Sequence, residues 1–230
     1  MDLIGPLSAE GGEVGVSRQQ AVENRHAIVA AAEKLFRERG VDAVGLAELM
    51  KAAGFTQGGF YNHFKSKDAL VAAVMQKAME EGGEDFDSRI ENARSDEADP
   101  VKRNIQWYLS PEHRGSIDAG CPLSGFVGDA RRLGDVARGS YAEGLASILE
   151  RFTKIFEETE GSSEGSRKKA INLFSQMVGT LLLSRAVADV DQALADEILD
   201  EGRQHLLAAV DTQPGVQSRE GSRRRKPART

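Results

Sequence analysis

The stretch Leu46 to Val74, LAELMKAAGFTQGGFYNHFKSKDALVAAV, narrows the choice of fold more than any other part of the chain. Leu46, Leu49 and Met50 stand at i, i+3 and i+4 and so share one face of a helix. Ala53 extends that face, and Gly54 supplies a residue that turns left-handed at a helix end. Thr56 is placed to cap a second short helix whose inward residues are Phe60 and Phe64. A third segment opens at Ser66 and carries Leu70, Val71, Val74 and Met75. Two short helices joined by a tight glycine turn form a helix-turn-helix, which lays its second helix in the DNA major groove.

The rest of the chain is consistent with an all-α protein. Ala and Leu are plentiful, and no run shows sustained period-2 alternation. No apolar run approaches the roughly 20 residues that cross a bilayer, and the opening MDLIGPLSAEGGE lacks the basic start and apolar block of a signal peptide. The expectation is a soluble, cytoplasmic chain. With Cys121 the only cysteine, neither an internal disulfide nor a cysteine zinc cage can form. The net charge of −6 is unevenly spread. Ser17 to Glu80 holds nine Lys/Arg against seven Asp/Glu, whereas Glu81 to Gln213 holds 15 against 25. A mildly basic head on an acidic body is the polarity of a DNA reader joined to a control module.

In chain order, 1–16 reads as a disordered tail. A first helix runs from Ser17 to a stop at Gly40, with Ala21, Ile28, Ala31, Ala32, Leu35 and Phe36 inward. The head spans 17–65, and a helical body spans 66–213. Gly82-Gly83 reads as a hinge between them. His113 to Gly120 reads as a loop, followed by a short apolar helix through Leu123, Phe126, Val127 and Ala130. Asp135 to Glu158 is a long amphipathic helix. Ala170 to Val187 is apolar on more than one side, which calls for core on one face and a partner on another. Asp191 to Val210 repeats this more mildly, and 214–230 is a basic disordered tail. No internal repeat occurs.

The runs ENRHAIVAAAEKLFRERG and LAELMKAAGFTQGGFYNHFKSKDAL resemble the N-terminal domain of the TetR/AcrR family of bacterial transcription regulators. A further run, YLSPEHR…GCPLSGFVGDARRL, is similar to a subgroup of that family. The resemblance implies an N-terminal three-helix DNA-binding domain plus a C-terminal helical ligand-binding and dimerisation domain. It implies a recognition helix over Thr56 to Phe64, with Gln57, Gly58 and Gly59 facing base edges. Of these only Gln57 can read adenine through two hydrogen bonds. It also implies that Tyr61, Asn62 and His63 lie on phosphates and sugars, that Lys67 pairs with a phosphate, and that Arg18 and Arg25 are further phosphate candidates. The sequence departs from the family pattern at Gly45, where many members place Thr or Ser, and at Gly58-Gly59, which offer no side chains. The resemblance further implies a homodimer through the last two helices, about 170–210, on a palindromic operator, released by a small-molecule effector.

For the effector, an apolar and aromatic pocket is expected, with Trp107, Tyr108, Cys121, Phe126, Phe152 and Met177 as candidates. Cys121 has two readings: a buried small hydrophobe, or an oxidant- or electrophile-sensing thiol favoured by a helix N-terminus, which would make the chain a redox-sensing repressor. Arg131-Arg132 reads as a solvated face. An enzyme is not expected. No serine–histidine–acid pattern, phosphate loop or metal-ligand spacing occurs, the four histidines are scattered, and no cofactor or metal is anticipated.

Overall fold

A computed structural model describes residues 17–160 and 164–211, and the tails read at 1–16 and 214–230 lie outside the described residues. Among the described residues all regular structure is helical. Helix α1 (Arg18–Arg39) starts at Ser17, whose hydroxyl accepts from the Gln20 N–H at 3.1 Å, and stops at Gly40, φ 84°. Helix α2 (Leu46–Ala52) has only Gly45 at its N-cap and no side-chain cap. Its end is a Schellman closure. Gly54 is left-handed at φ 83°, while the Phe55 N–H reaches the Met50 carbonyl and the Gly54 N–H that of Lys51.

Helix α3 (Lys67–Ser95) runs 29 residues from a Ser66 cap. Helices α4 (Pro100–Tyr108) and α5 (Pro111–Gly115) both begin with proline behind a capping side chain, Asp99 and Ser110. Then come α6 (Pro122–Gly125), α7 (Asp135–Glu160), α8 (Ser166–Val187) and α9 (Gln192–Asp211). Helices α3, α7, α8 and α9 pack in succession, with α4 lying against α3 and α9.

Three local expectations change. Gly82 and Gly83 are not a hinge: α3 passes through them unbroken. They are small because neighbours come close. A Cβ at Gly82 would stand 2.6 Å from Cγ of Pro122, and one at Gly83 would stand 3.1 Å from an Arg151 nitrogen. The segment expected as a loop from His113 begins inside α5, because Ser110 and Pro111 together start a new helix. The apolar helix expected through Leu123 to Ala130 shrinks to α6 and a 3₁₀ turn at Ala130–Arg132.

Two hydrophobic cores result. The first joins Ile28, Phe36, Leu49, Met50, Phe60 and Phe64 to Leu70, Val74 and Met75 of α3, and takes in Phe126, Leu133 and Ala137. It therefore continues well past residue 65. The second joins Phe86, Ile105, Tyr108, Phe152, Phe174 and Met177. Met79 and Tyr141 border both. Helix α8 is long and apolar enough to cross a membrane by length and composition alone. It packs against α7 and α9 and leaves Ile171 and Leu183 exposed.

Candidate nucleic-acid interface and ligand cavity

The recognition segment is a 3₁₀ helix, Gln57–Asn62, after an extended Thr56. Phe60 is fully buried and stacks on Phe64 at 5.8 Å between ring centroids. That anchor turns the other side of the turn outward. Gln57, Gly58 and Asn62 are exposed, Tyr61 is 70% exposed and His63 is half-buried. A Cβ at Gly58 would meet nothing within 4 Å, and one at Gly59 would make only ordinary contacts. Neither glycine is demanded by packing within the chain.

The cations expected on phosphates are partly engaged. Arg18 is exposed. The Arg25 guanidinium lies 4.0 Å over the Phe64 ring and donates to the His63 carbonyl at 2.8 Å, fixing the far end of the recognition turn. Lys67 corrects the picture of a free ammonium. Its Nζ donates to the Val41 and Val44 carbonyls, both at 2.7 Å, tying the α1–α2 link to the start of α3. An ammonium has three N–H donors, so one is left for a phosphate.

In the body, α3, α4, α7, α8 and the link before α6 line a narrow cavity that opens to solvent at its mouth. Trp107, Tyr108, Cys121 and Phe152 line it. Two expected members do not. Phe126 belongs to the head core, with the Arg37 guanidinium 5.5 Å from its ring, because the short α6 turns it toward α1. Met177 is fully buried among core side chains of α8. Cys121 sits at the start of α6, which is only four residues long, so the helix-dipole argument for a sensing thiol has little to stand on.

The polar lining escaped the sequence reading. Arg89 stacks at 3.7 Å on the Trp107 ring. Four buried side-chain nitrogen or oxygen atoms lack a hydrogen-bond partner among the described residues, and three of them ring this cavity: Arg89 Nε, Asn104 Oδ1 and the Tyr108 hydroxyl. The Tyr108 hydroxyl lies beside the Cys121 thiol and Ser124 without a bond of good geometry. Each such group costs about 1–3 kcal/mol while unpaired, so their grouping is a property of the site. A signal for Asn104 was available, since it falls on the stripe of Val101, Ile105 and Tyr108. Arg89 likewise shares the inward face of α3 with Phe86, Ile90 and Ala93.

His113 organises the cavity's outer wall. Its Nδ1 is 2.7 Å from the Tyr108 carbonyl, and its Nε2 accepts from the Cys121 N–H at 2.9 Å, which makes it a neutral ring protonated at Nδ1. Burial pushes its pKa down to about 4, and the charges of Arg185 and Arg89 act in the same direction. Burial also raises the Tyr108 pKa well above its ordinary value. Arg185 of α8 donates to the carbonyls of His113 at 2.7 Å and Arg114 at 3.0 Å, closing the end of α5. The link before α6 also touches the head: Arg37 Nη1 donates to the Gly120 carbonyl at 2.6 Å, and Lys34 pairs with Asp118 at 3.3 Å. Arg131 and Arg132 are exposed, as expected of a solvated face, and Arg132 at the same time pairs with Asp42 of the head and Asp129 of the body.

Among the described residues, a helix-turn-helix at one end of a long helix and an open-mouthed cavity partway along it make up the arrangement of a DNA-binding regulator. Residues 28–74 match the family described as bacterial regulatory proteins, tetR family. The transcriptional repressor BepR of Brucella suis is 34% identical over 177 residues, covering 72% of this chain and 82% of that protein. The transcriptional repressor DhaR of a Mycobacterium species is 29% identical over 147 residues, 63% of this chain and 70% of that protein. Other curated regulators match over 62 to 85 residues, between 30% and 39% of their own length. A TetR regulator from Chloroflexus aurantiacus superposes with a TM-score of 0.70 at 19% identity, over 85% of this chain and 98% of that one. The chain belongs to the TetR family of transcription regulators. It is a DNA-binding protein and not an enzyme.

Proposed function

We propose that the chain is a ligand-responsive repressor, binding a palindromic operator as a homodimer and releasing it when a small molecule enters the body. The observation that carries this reading is the continuity of α3. One unbroken helix holds Lys67 in the head and lines the cavity with Gly82, Gly83, Phe86 and Arg89. A ligand that shifts α3 against α6 also shifts the head, and the links from Arg37 to Gly120 and Lys34 to Asp118 give a second route. On DNA, Gln57, Gly58 and Gly59 face base edges. Tyr61, Asn62, His63, Arg18, Arg25 and the remaining donor of Lys67 meet the backbone.

The homodimer reading rests on α8 and α9, where Ile171, Leu183 and Leu194 stay exposed. Such a dimer places two recognition turns on half-sites about one or more helical turns apart. The test is selection of bound duplexes from a random pool, then titration of the winner at several salt concentrations. An inverted repeat is expected. Tyr61→Phe removes a hydroxyl that makes no hydrogen bond among the described residues, and Tyr61 is 70% exposed, so the fold should be unchanged. Affinity should fall if that hydroxyl meets a phosphate, while the salt slope stays as it is, because a neutral hydroxyl releases no counterion. Absence of any sequence preference would overturn the reading.

A further inference from the structure

We propose that the body cavity binds a small aromatic or arylaliphatic monocarboxylic acid, with its carboxylate on Arg89 and a hydroxyl on the ring donating to Asn104. The proposal rests on the effector-cavity reading and names the chemical class that the cavity accepts.

Among the described residues Arg89 forms no ion pair and its Nε has no hydrogen-bond partner, although the flat face of its guanidinium lies 3.7 Å over Trp107. Stacking occupies the face of a guanidinium and leaves its edge, the fork that fits a carboxylate through two parallel N–H donors. Asp85, one turn earlier on α3, also lines the cavity but is exposed to solvent. Arg185, donating to the His113 carbonyl at 2.7 Å, adds a second guanidinium beside the cavity, so two cations and a neutral imidazole stand against the one carboxylate of the lining, the solvent-exposed Asp85. That field favours an anion.

The other two unpaired groups constrain the rest of the ligand. Asn104 Oδ1 is an acceptor without a donor, and Asn104 is only 3% exposed. It calls for an O–H or N–H on the ligand. Tyr108, equally buried, offers a hydroxyl that can donate to the second carboxylate oxygen or accept from the ligand. Around them Phe86, Ile148, Phe152 and Phe174 form an apolar wall suited to a ring. A purely apolar ligand would leave all three polar groups unpaired, and a cation would meet Arg89 at close range.

The single tryptophan of the chain is Trp107, so its fluorescence reports this cavity alone. Full-length protein would be titrated with phenylacetate and 4-hydroxyphenylacetate and with the methyl ester and amide of each. The acids should bind at least about tenfold tighter than their esters and amides, and the hydroxy acid tighter than phenylacetate. Arg89→Gln should erase the preference for acids while leaving weak ester binding. Arg89→Lys, which keeps the charge and loses the fork, should retain part of it. Asn104→Leu should remove only the advantage of the hydroxy acid. Acids binding no better than esters, a preference that survives Arg89→Gln, or no response of Trp107 to any of the six compounds would each overturn the proposal. Operator affinity measured on the same samples separates the two readings. Acid binding that leaves operator affinity unchanged supports the chemical class and strikes the effector role alone.

Discussion

His113 is neutral because the molecule needs both of its ring nitrogens, one beside the Tyr108 carbonyl and one accepting from the Cys121 N–H. Protonation would put a second N–H against an existing donor, in a region already facing Arg89 and Arg185. The folded pKa of about 4 lies below the unfolded value of 6.5. Between these pH values the unfolded chain therefore binds the extra proton, and stability falls as pH falls. Above pH 6.5 the contribution is complete, and below pH 4 the loss is complete, at about 3 kcal/mol. Urea unfolding of wild type and His113→Gln should show the gap between them moving against wild type by roughly this amount from pH 7 to pH 4. Parallel curves would mean that His113 titrates as it does in the unfolded chain.

At the scale of elements, the recognition turn and α3 owe their character to glycines for opposite reasons. Gly58 has open space where a side chain would be, so Gly58→Ala should stabilise the fold by about 0.5 kcal/mol or more through the backbone. If the recognition turn approaches DNA as closely as a bare backbone allows, the same change should weaken operator binding. Melting and operator titration of this one variant should therefore move in opposite directions. Gly82 is the reverse case, because the rigid ring of Pro122 fills the space. Gly82→Ala should cost about 1–3 kcal/mol, seen as a lower denaturant midpoint, and should move α6 away from α3.

The difference between those glycines also shows what the sequence could disclose. Periodicity around Leu46, Leu49, Phe60 and Phe64 defined the helix-turn-helix, since short-range rules act within one or two turns. Gly82-Gly83 looked like a break because a close neighbour 40 residues away leaves no local trace. Phe126 and Met177 differ from expectation for a related reason: hydrophobicity marks a residue as buried, but it does not say that Phe126 joins the head core or that Met177 lies behind the cavity wall within the second core. Trp107, Tyr108, Cys121 and Phe152 were found from aromatic and apolar character. Arg89 and Asn104 are hard to read from sequence, because a single polar residue on an apolar stripe carries no mark of what it faces. Their unpaired state appears only in three dimensions.

For the whole molecule, the proposed dimer turns on the exposed apolar residues of α8 and α9. Leu183 is 63% exposed in the single chain, and in a four-helix dimer interface it would be covered. Leu183→Glu should leave the helical content unchanged and convert dimer to monomer by analytical ultracentrifugation. Operator affinity should fall with it, because two weakly basic heads must act together. A wild-type chain that sediments as a monomer at all concentrations would remove the dimer.

The first core has a consequence for anyone exchanging parts among such regulators. Phe126, Leu133 and Ala137 sit in it beside Ile28 and Phe36, although a hundred residues separate them in sequence. A fragment cut after residue 65 would leave behind Leu70, Val74 and Met75 as well, and with them much of the apolar surface that holds the three short helices together. Chimeras that graft a foreign reader onto this body must therefore carry a matching socket for Phe126 and Leu133. Without it, the transplanted part arrives with its own interior open to water.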